Sequence, residues 1–563
     1  MKSIAKLGVL LAVTLIVVVM PQVPAWGDTT FVSGTIHSNT TWTPIGNPYL
    51  VIGDTRVDTN IILTIQPGVQ VKVNAGFSIS VDGGLIARGT PSDSIVFDWS
   101  IQDQFWGSLG FNDPSLDSVC LLEYCRVTHA NVGIGIQDAS PRIMNCSIIS
   151  NGVFYGSGHG ISIGGPRSRP TIEGNLIYGN SSSRFYGGYG GGIIIWDDGT
   201  GSPCPVIKNN VIRRNRVDQI YWPGGGAGIS VNDYNISGLL TVVGNTIDSN
   251  VADGDGYGGG IRISGRDGSQ YLIACNSISQ NTSAHASAIY FQSGNAFVTL
   301  SGNTITGNVS SGNAVLEASA SLLSSGIINM NYNNIYGNSN LSQSVFEIET
   351  GSGTSVVNGG NNWWGTTNQS LIDLLIYDFW DDPSLREVDY TPFSTSFNYP
   401  PSESIIVISP NGGEQYVPDS STTIQWNPFC FTDSVKIEYS ANGGGSWTNV
   451  VPKTINVGFY SWKIPLVSSA TCRVRVSDAA DGIPSDISDS NFTIRPPYIP
   501  GDANGDVTVD ISDVVYLIAY IFSGGAAPAP LLAGDANCDS VVDISDVVYL
   551  ISYIFSGGSA PCA

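Results

Sequence analysis

One short pattern, asparagine and isoleucine at fixed spacing, recurs through the middle of the chain. It reads Asn175-Leu-Ile-Tyr-Gly-Asn180, Asn210-Val-Ile-Arg-Arg-Asn215, Asn245-Thr-Ile-Asp-Ser-Asn250, Asn276-Ser-Ile-Ser-Gln-Asn281, Asn303-Thr-Ile-Thr-Gly-Asn308 and Asn333-Asn-Ile-Tyr-Gly-Asn338. Cys146-Ser-Ile148 with Asn151 is a degenerate seventh copy, and Val127 and Trp363 extend the series at its two ends. The isoleucines 148, 177, 212, 247, 278, 305 and 335 are 29, 35, 35, 31, 27 and 30 residues apart. A period of this length decides the architecture, because one such unit cannot bury its own apolar side and must stack on its neighbours. Each period holds a second strand signal, as in Gly160-Ile-Ser-Ile163, Gly192-Ile-Ile-Ile195, Gly228-Ile-Ser-Val231 and Gly260-Ile-Arg-Ile263, which leaves little room for helices. Stacked coils would place isoleucine on isoleucine about 4.8 Å apart. They would also set Asn151, Asn180, Asn215, Asn250, Asn281, Asn308 and Asn338 at one turn of every coil, where asparagine tolerates left-handed backbone and can bond the coils above and below.

Composition agrees with a turn-rich β chain. Of 563 residues, 67 are glycine and only 12% are charged, which excludes long charged helices and coiled coils. Lys plus Arg is 23 against 46 Asp plus Glu, a formal charge of −23 that repels nucleic acid and anionic membrane surfaces; neutral or cation-bridged partners fit better. Lys2 and Lys6 precede an apolar run from Leu7 to Met20, and Ala25-Trp-Gly27 places small residues before Asp28. This predicts a cleaved secretory leader at 1–27 and an extracellular or cell-surface protein. Fourteen apolar residues are too few to span a bilayer core of about 30 Å, and no later segment is long enough. Nine cysteines, an odd number, leave at least one unpaired if the others pair, and none forms a CxxC zinc motif. Cys430 with Cys472, and Cys538 with Cys562, are plausible bridges because each pair falls within one predicted domain of an exported protein.

The repeat resembles the right-handed parallel β-helix family, and the handedness is implied by that resemblance alone. Leu63-Thr-Ile-Gln-Pro-Gly-Val69-Gln-Val-Lys-Val73 and Leu85-Ile-Ala-Arg-Gly89 are similar to the first coils of such proteins, and Asn361-Asn-Trp-Trp-Gly365 with Val388-Asp-Tyr-Thr-Pro-Phe393 to their closing segment. A β-helix is expected over 28–398. Cys125 and Cys146 occupy equivalent places in successive coils, open to either a stacked ladder or a disulfide.

Tyr399-Pro-Pro401 and Arg495-Pro-Pro-Tyr-Ile-Pro500 break the patterns and serve as linkers. Between them, at 404–494, Val435-Lys-Ile-Glu-Tyr439, Tyr460-Ser-Trp-Lys-Ile464 and Cys472-Arg-Val-Arg-Val476 alternate as strands do, and Asn442-Gly-Gly-Gly445 is a turn signal. The stretch reads as a β-sandwich. With Ser409-Pro-Asn-Gly-Gly-Glu414 and Trp426, Trp447 and Trp462, it resembles the immunoglobulin-like modules of secreted bacterial proteins, its tryptophans expected in the core and its role that of a spacer.

At the carboxyl end, 501–563, Asp502-Ala-Asn-Gly-Asp-Val-Thr-Val-Asp-Ile-Ser-Asp513 returns 33 residues later as Asp535-Ala-Asn-Cys-Asp-Ser-Val-Val-Asp-Ile-Ser-Asp546. Oxygen ligands for Ca2+ fall at loop positions 1, 3, 5, 9 and 12: Asp502, Asn504, Asp506, Asp510 and Asp513, then Asp535, Asn537, Asp539, Asp543 and Asp546. The carbonyls of Thr508 and Val541 at position 7 complete the shells. The stretch holds eight aspartates and no Lys or Arg, so bound calcium would relieve their repulsion. Position 6, where glycine makes the sharp turn, is Val507 in one loop and Ser540 in the other; a β-branched residue held at positive φ costs about 1 to 2 kcal/mol, which predicts the weaker site in the first loop. Each loop is followed by an apolar helix of about three turns, Asp513 to Phe522 and Asp546 to Phe555, which must be covered all round; part of its surface can pack on its twin, and what remains is a candidate docking face for another protein. The duplication resembles a type I dockerin. That resemblance implies a cohesin-domain partner chosen in part by the residues at loop positions 10 and 11, here Ile511, Ser512, Ile544 and Ser545.

The longest coils carry aromatic insertions at Arg184-Phe-Tyr-Gly-Gly-Tyr189, Gln219-Ile-Tyr-Trp222 and Asp253-Gly-Asp-Gly-Tyr257. After the neighbouring strands come Trp196-Asp-Asp198, Asn232-Asp-Tyr234 and Arg266-Asp267, which stacking would align along one edge. Tyr186, Tyr189, Trp196, Trp222, Tyr234, Tyr257 and Arg266 are candidates to hold sugar, and Asp197, Asp198, Asp233 and Asp267 to act as acid and base or to bridge calcium to an acidic sugar. Glycine-aspartate turns after strands are also ordinary turn chemistry. Gly160-Ile-Ser-Ile-Gly164 fits a serine-hydrolase elbow only by letter, since it lies inside a β repeat; His37, His129, His159 and His285 have no zinc-site spacing. The dockerin resemblance implies a polysaccharide setting. Two readings remain: a polysaccharide lyase or glycoside hydrolase, and a noncatalytic carbohydrate-binding or surface-structural β-helix protein.

Overall fold

A computed structural model describes residues 29–152, 159–184, 189–196, 203–219, 224–232, 238–265, 269–293, 296–312, 314–318, 327–340, 346–350, 356–398, 405–427, 434–456, 458–495 and 498–561. The leader at 1–27 lies outside them. Among the described residues no helix is long and apolar enough to cross a membrane.

The chain from Thr30 to Asp389 winds into a parallel solenoid. One coil runs Thr171–Glu173, Leu176–Tyr178, Ser181–Arg184 and Ile193–Trp196, and the next repeats it as Val206–Lys208, Val211–Arg213, Arg216–Gln219 and Ile229–Asn232. Every strand pairs in parallel with its counterpart one coil away. The first ladder, thirteen strands, runs from Thr40–Trp42 to Val388–Asp389. The second, with the Asn-x-Ile strands, and the third, with the Gly-Ile strands, join in one sheet because Tyr49–Val57 pairs with both Gln70–Val73 and Ile79–Val81. The fourth is six short strands from Ser181–Arg184 to Ser339–Asn340, beside the coils with insertions.

The isoleucines stack as the period demands. Val127, Ile148, Ile177, Ile212, Ile247, Ile278, Ile305 and Ile335 are register partners in turn, and all are fully buried. The series ends differently from the sequence expectation. Trp363 pairs with Asn334 and stays half-exposed, while Trp364 is buried in the isoleucine's place, because the asparagine that continues the pattern is Asn362, not Asn361.

There are two asparagine ladders. Asn180 shows the bonding: its Nδ2 donates to Ile148 O at 2.9 Å and to Asn215 Oδ1 at 3.0 Å, and that oxygen also accepts the Asn180 N–H. The same arrangement continues through Asn250, Asn281 and Asn308 to Asn338. A second ladder climbs from Asn175 through Asn210, Asn245, Asn276, Asn303 and Asn333 to Asn362. The left-handed residue is not the asparagine but the one before it: Ser150, Gly179, Arg214, Ser249, Gln280, Gly307 and Gly337 have φ between 53° and 65°. That bend turns the asparagine amide inward, where its work is hydrogen bonding.

Residues Ile406–Ser409, Ser421–Asn427 and Phe459–Lys463 form one antiparallel sheet; Ser434–Ser440, Thr448–Ile455, Ser469–Asp478 and Phe492–Ile494 belong to the sheet opposite. Trp426 and Trp462 are buried between them. Trp447 is not in that core: it is half-exposed under Arg475, whose guanidinium carbon lies 4.4 Å from the ring centroid. The sandwich touches the solenoid, where Phe459, with Leu239, Val243 and Cys275, packs against the buried Leu272 and Ala274 on the outer face of the first ladder.

Cys275 and Cys538 each belong to a disulfide, whereas Cys120, Cys125, Cys146, Cys204 and Cys472 are buried thiols outside any disulfide. The expected Cys430–Cys472 bridge does not form, because Cys472 points into the sandwich core, where burial pushes its thiol up; Cys430 and Cys562 lie outside the described residues. Cys125 and Cys146 stack as thiols, with the Cys125 N–H donating to Cys146 Sγ at 3.3 Å. Native protein should therefore resist iodoacetamide, and unfolding without reductant should add label at these five positions; peptide mass spectrometry reads both.

Candidate functional site

Two regions gather functional side chains. At the carboxyl end, helices Ile511–Ser523 and Ile544–Ser556 each start from a loop aspartate, Asp510 or Asp543, in a capping box closed by Asp513 or Asp546, and each stops at a left-handed glycine, Gly524 or Gly557. Val514, Leu517, Val547 and Leu550 bury one face of the pair with Ala503 and Ala536. The opposite face is bare. Ile511, Val515, Ile518 and Phe522 are exposed on one helix, and Ile544, Val548, Ile551 and Phe555 on the other. The pair thus packs on itself along one face and leaves the other as the candidate docking face that the sequence points to.

The loops are drawn tight on backbone amides. Asp502 accepts the N–H groups of Gly505, Asp506 and Val507 at 2.9 to 3.0 Å, and Asp535 those of Asp539 and Ser540. Asp513 accepts from Asn504 and Asp510, and Asp546 from Ala536, Asn537 and Asp543. Asp506 and Asp539 receive the N–H of Thr508 and Val541. Val507 and Ser540 have φ of 72° and 71°, so position 6 takes the left-handed turn that the sequence assigns to it. Each of the Ser512 and Ser545 hydroxyls donates to Asp510 or Asp543 and accepts from Asn504 or Asn537, tying loop to helix. Ile511 and Ile544 are exposed.

Among the described residues no group of three or more Asp, Glu, His or Cys side chains is gathered closely enough to grip a metal. The donor chemistry nevertheless suits a hard cation. Asp513 and Asp546 are fully buried, and burial pushes both carboxyls up, with Asp502 beside Asp513 and Asp535 beside Asp546 adding repulsion.

The second region lies on the outer face of the third ladder, beside the short fourth one. Side chains alternate along a strand. Since Ile261, Ile263, Ile289, Phe291, Leu316 and Ile348 enter the core, the residues between or beside them face outward. One residue per coil then forms a row in register: Ser230, Arg262, Tyr290, Glu317, Glu349 and Tyr377. Arg262 is buried although it faces outward. Its guanidinium lies 4.9 Å from the Tyr189 ring centroid and donates to Asn232 Oδ1, and its stem passes over Gly225, where an added Cβ would stand 2.9 Å from Arg262 Cδ. Tyr257 stacks on His285 at 4.6 Å and leans on Tyr290 at 4.5 Å. Burial, then the Glu317 and Asp255 charges, raise the Tyr257 hydroxyl; burial lowers His285, which favours its neutral form. Burial, with the Glu349 carboxylate beside it, pushes Glu317 up to about 7.

Of the sugar-contact candidates, the structure brings Tyr189 and Tyr257 to this row. Trp196 lies one strip away, flat against Gly164 with its Nε1 on Ser162 Oγ at 3.1 Å. Tyr186, Trp222, Tyr234 and Arg266, and the four aspartates Asp197, Asp198, Asp233 and Asp267, lie outside the described residues. Arg262, Tyr290, His285, Glu317 and Glu349 were not among the sequence candidates. The signal was present: carrying the Gly-Ile-Arg-Ile263 alignment onward through Ala288-Ile-Tyr-Phe291, Val315-Leu-Glu317 and Ile348-Glu349 puts two glutamates in one slot of adjacent coils.

Residues 115–276 match the family model described as Right handed beta helix region, and residues 500–555 match the one described as Dockerin type I domain. No curated protein and no solved structure gave a significant match. With its stacked parallel ladders and paired loop-helix units, the chain is a β-helix protein that carries a carboxyl-terminal type I dockerin domain.

Proposed function

We propose that this is an exported protein that attaches through a calcium-loaded dockerin to a cohesin partner and presents its β-helix to a polysaccharide. The observation that carries the reading is the pair of bare apolar rows on helices whose first turns are built from acidic loops. Type I dockerins bind calcium and imply a cohesin. Asp502, Asn504, Asp506, Asp510 and Asp513, with the Thr508 carbonyl, would hold one ion; Asp535, Asn537, Asp539, Asp543 and Asp546, with the Val541 carbonyl, the other. Ile511 and Ile544 head the docking rows. The aromatic and polar row on the solenoid supports a sugar-binding role, since ring faces stack on sugars and the neighbouring polar groups orient their hydroxyls.

Capture of the full chain by immobilised type I cohesins in calcium, together with retention on insoluble polysaccharide, tests the two halves separately. Failure of every cohesin in the panel removes the first half; loss of retention on every polysaccharide removes the second. Alanine at Asp197 and Asp198 with retention unchanged would discard that turn. In the first loop, Val507→Gly should relieve the left-handed strain and tighten that site about 5- to 30-fold, the equivalent of about 1 to 2 kcal/mol. Calorimetric calcium titration reads it, and an unaltered first-site affinity would show that the turn carries no strain.

A further inference from the structure

Glu317 and Glu349 stand in one register slot of adjacent coils, both turned to the outer face, with Arg262, Tyr290, Tyr257 and His285 around them. A charged side chain on the outside of a solenoid normally reaches into water, as Glu123 does toward Arg88. Glu317 does not. Its Oε2 is buried with no hydrogen-bond partner among the described residues, and the charge that acts on it is a second carboxylate, that of Glu349. In the same row Ser230 is fully buried and its Oγ also has no hydrogen-bond partner among the described residues. Leaving such groups unsatisfied costs stability, and a fold spends it where a ligand supplies the missing bonds.

We infer that Glu317 and Glu349 are the acid and the nucleophile of a glycoside hydrolase site, and that its substrate is a neutral polysaccharide lying along the row from Ser230 to Tyr377. The inference rests on the polysaccharide reading above and adds chemistry to it. Parallel strands hold the two Cα atoms about 4.8 Å apart, near the carboxyl separation of about 5 to 5.5 Å that double displacement uses. Glu317 gives its proton to the bridging oxygen as the bond from that oxygen to the anomeric carbon breaks. The Glu349 carboxylate forms an ester bond to that carbon. Water then adds to the carbon, the ester bond breaks, and Glu317, now a carboxylate, takes the proton from the water. No other reactant is needed. Burial next to a like charge keeps one of the two carboxyls protonated near neutrality, as this division of labour requires. A carboxyl pair that shares one proton still carries a negative charge, and on a chain of formal charge −23 it would repel a polyuronide.

The test uses the full chain with xylan, mixed-linkage β-glucan, galactomannan, arabinan, polygalacturonate and alginate, read by reducing ends and by absorbance of unsaturated products. New reducing ends from a neutral glycan without unsaturated product are expected. Glu317→Gln should lower kcat/KM about 10²- to 10⁴-fold at unchanged melting temperature. Activity should fall as pH rises through about 7, where Glu317 loses its proton; Glu349 and Tyr257 are the groups that interact with it, while Arg262, neutral His285 and Asp255 surround Tyr257. Glu349→Ala should be inactive and regain turnover with azide, which replaces the lost nucleophile. Unsaturated products from polygalacturonate or alginate, or full activity of Glu317→Gln and Glu349→Ala, would overturn the assignment. Retention on a neutral glycan without any cleavage would overturn it too and leave the binding reading standing; absence of both retention and cleavage would sink the binding reading itself.

Discussion

Asn250→Ala should lower the melting temperature of the β-helix by several degrees, the equivalent of about 3 to 5 kcal/mol. The side chain donates to Ile212 O and Asn281 Oδ1 at 2.9 Å each, and its oxygen accepts both the backbone and the side-chain N–H of Asn215. Alanine removes all four bonds in a place no water reaches, since Asn250 is fully buried, and leaves Asn281 Oδ1 only the N–H of residue 250 and Asn215 Nδ2 only Ile177 O. Val211→Ala, at an exposed strand position in the neighbouring coil, is the control and should change little. Differential scanning calorimetry separates the two. A variant at Asn250 melting within about 1 °C of the parent would mean the ladder is decoration and the isoleucine stack alone holds the coils.

Chelation is the second large effect. Among the described residues the dockerin core is a small cluster, Ala503, Val514, Leu517, Ala536, Val547 and Leu550, too few to fold a segment with eight aspartates and no Lys or Arg of its own. Excess EDTA should therefore unfold the two helices and lower cohesin capture at least about 100-fold, with recovery on adding calcium. In calcium, Asp535→Ala should cost more capture than Asp502→Ala, because the second loop is spared a β-branched residue at φ of 71°. Surface plasmon resonance against an immobilised cohesin measures both; undiminished capture in EDTA would separate the fold from the metal.

The stacked core was legible because its signal is a period, and periods survive the loss of detail. Ile148 to Ile335 needed only counting. The last step failed at Trp363, where two adjacent tryptophans follow two adjacent asparagines and spacing alone cannot choose between them; burial of Trp364 does. The left-handed residues were misplaced by one position for a related reason: asparagine's tolerance of that conformation is a tendency, whereas glycine at 179, 307 and 337 marks the bend itself. Calcium-loop ligands could be read off because their spacing is local. The Glu317 and Glu349 pair leaves a fainter trace, since each sits alone in a coil that lacks the Gly-Ile signature, and the alignment must be carried forward from Gly260-Ile-Arg-Ile263 to bring them together. The contact between sandwich and solenoid was hidden, because Phe459 meets residues almost two hundred positions away.

Because each coil contributes one side chain to the outer row, distance along the rod is counted in whole turns of about 4.8 Å. Loss of the turn carrying Tyr290 would slide Arg262 directly beneath Glu317, and duplication of it would open the interval by one more step, while every isoleucine and asparagine contact found an equivalent partner. Such a molecule can change the length of what it accommodates without redesigning its interior: its unit of variation is the rung, and the residues that meet the ligand behave as marks on a ruler.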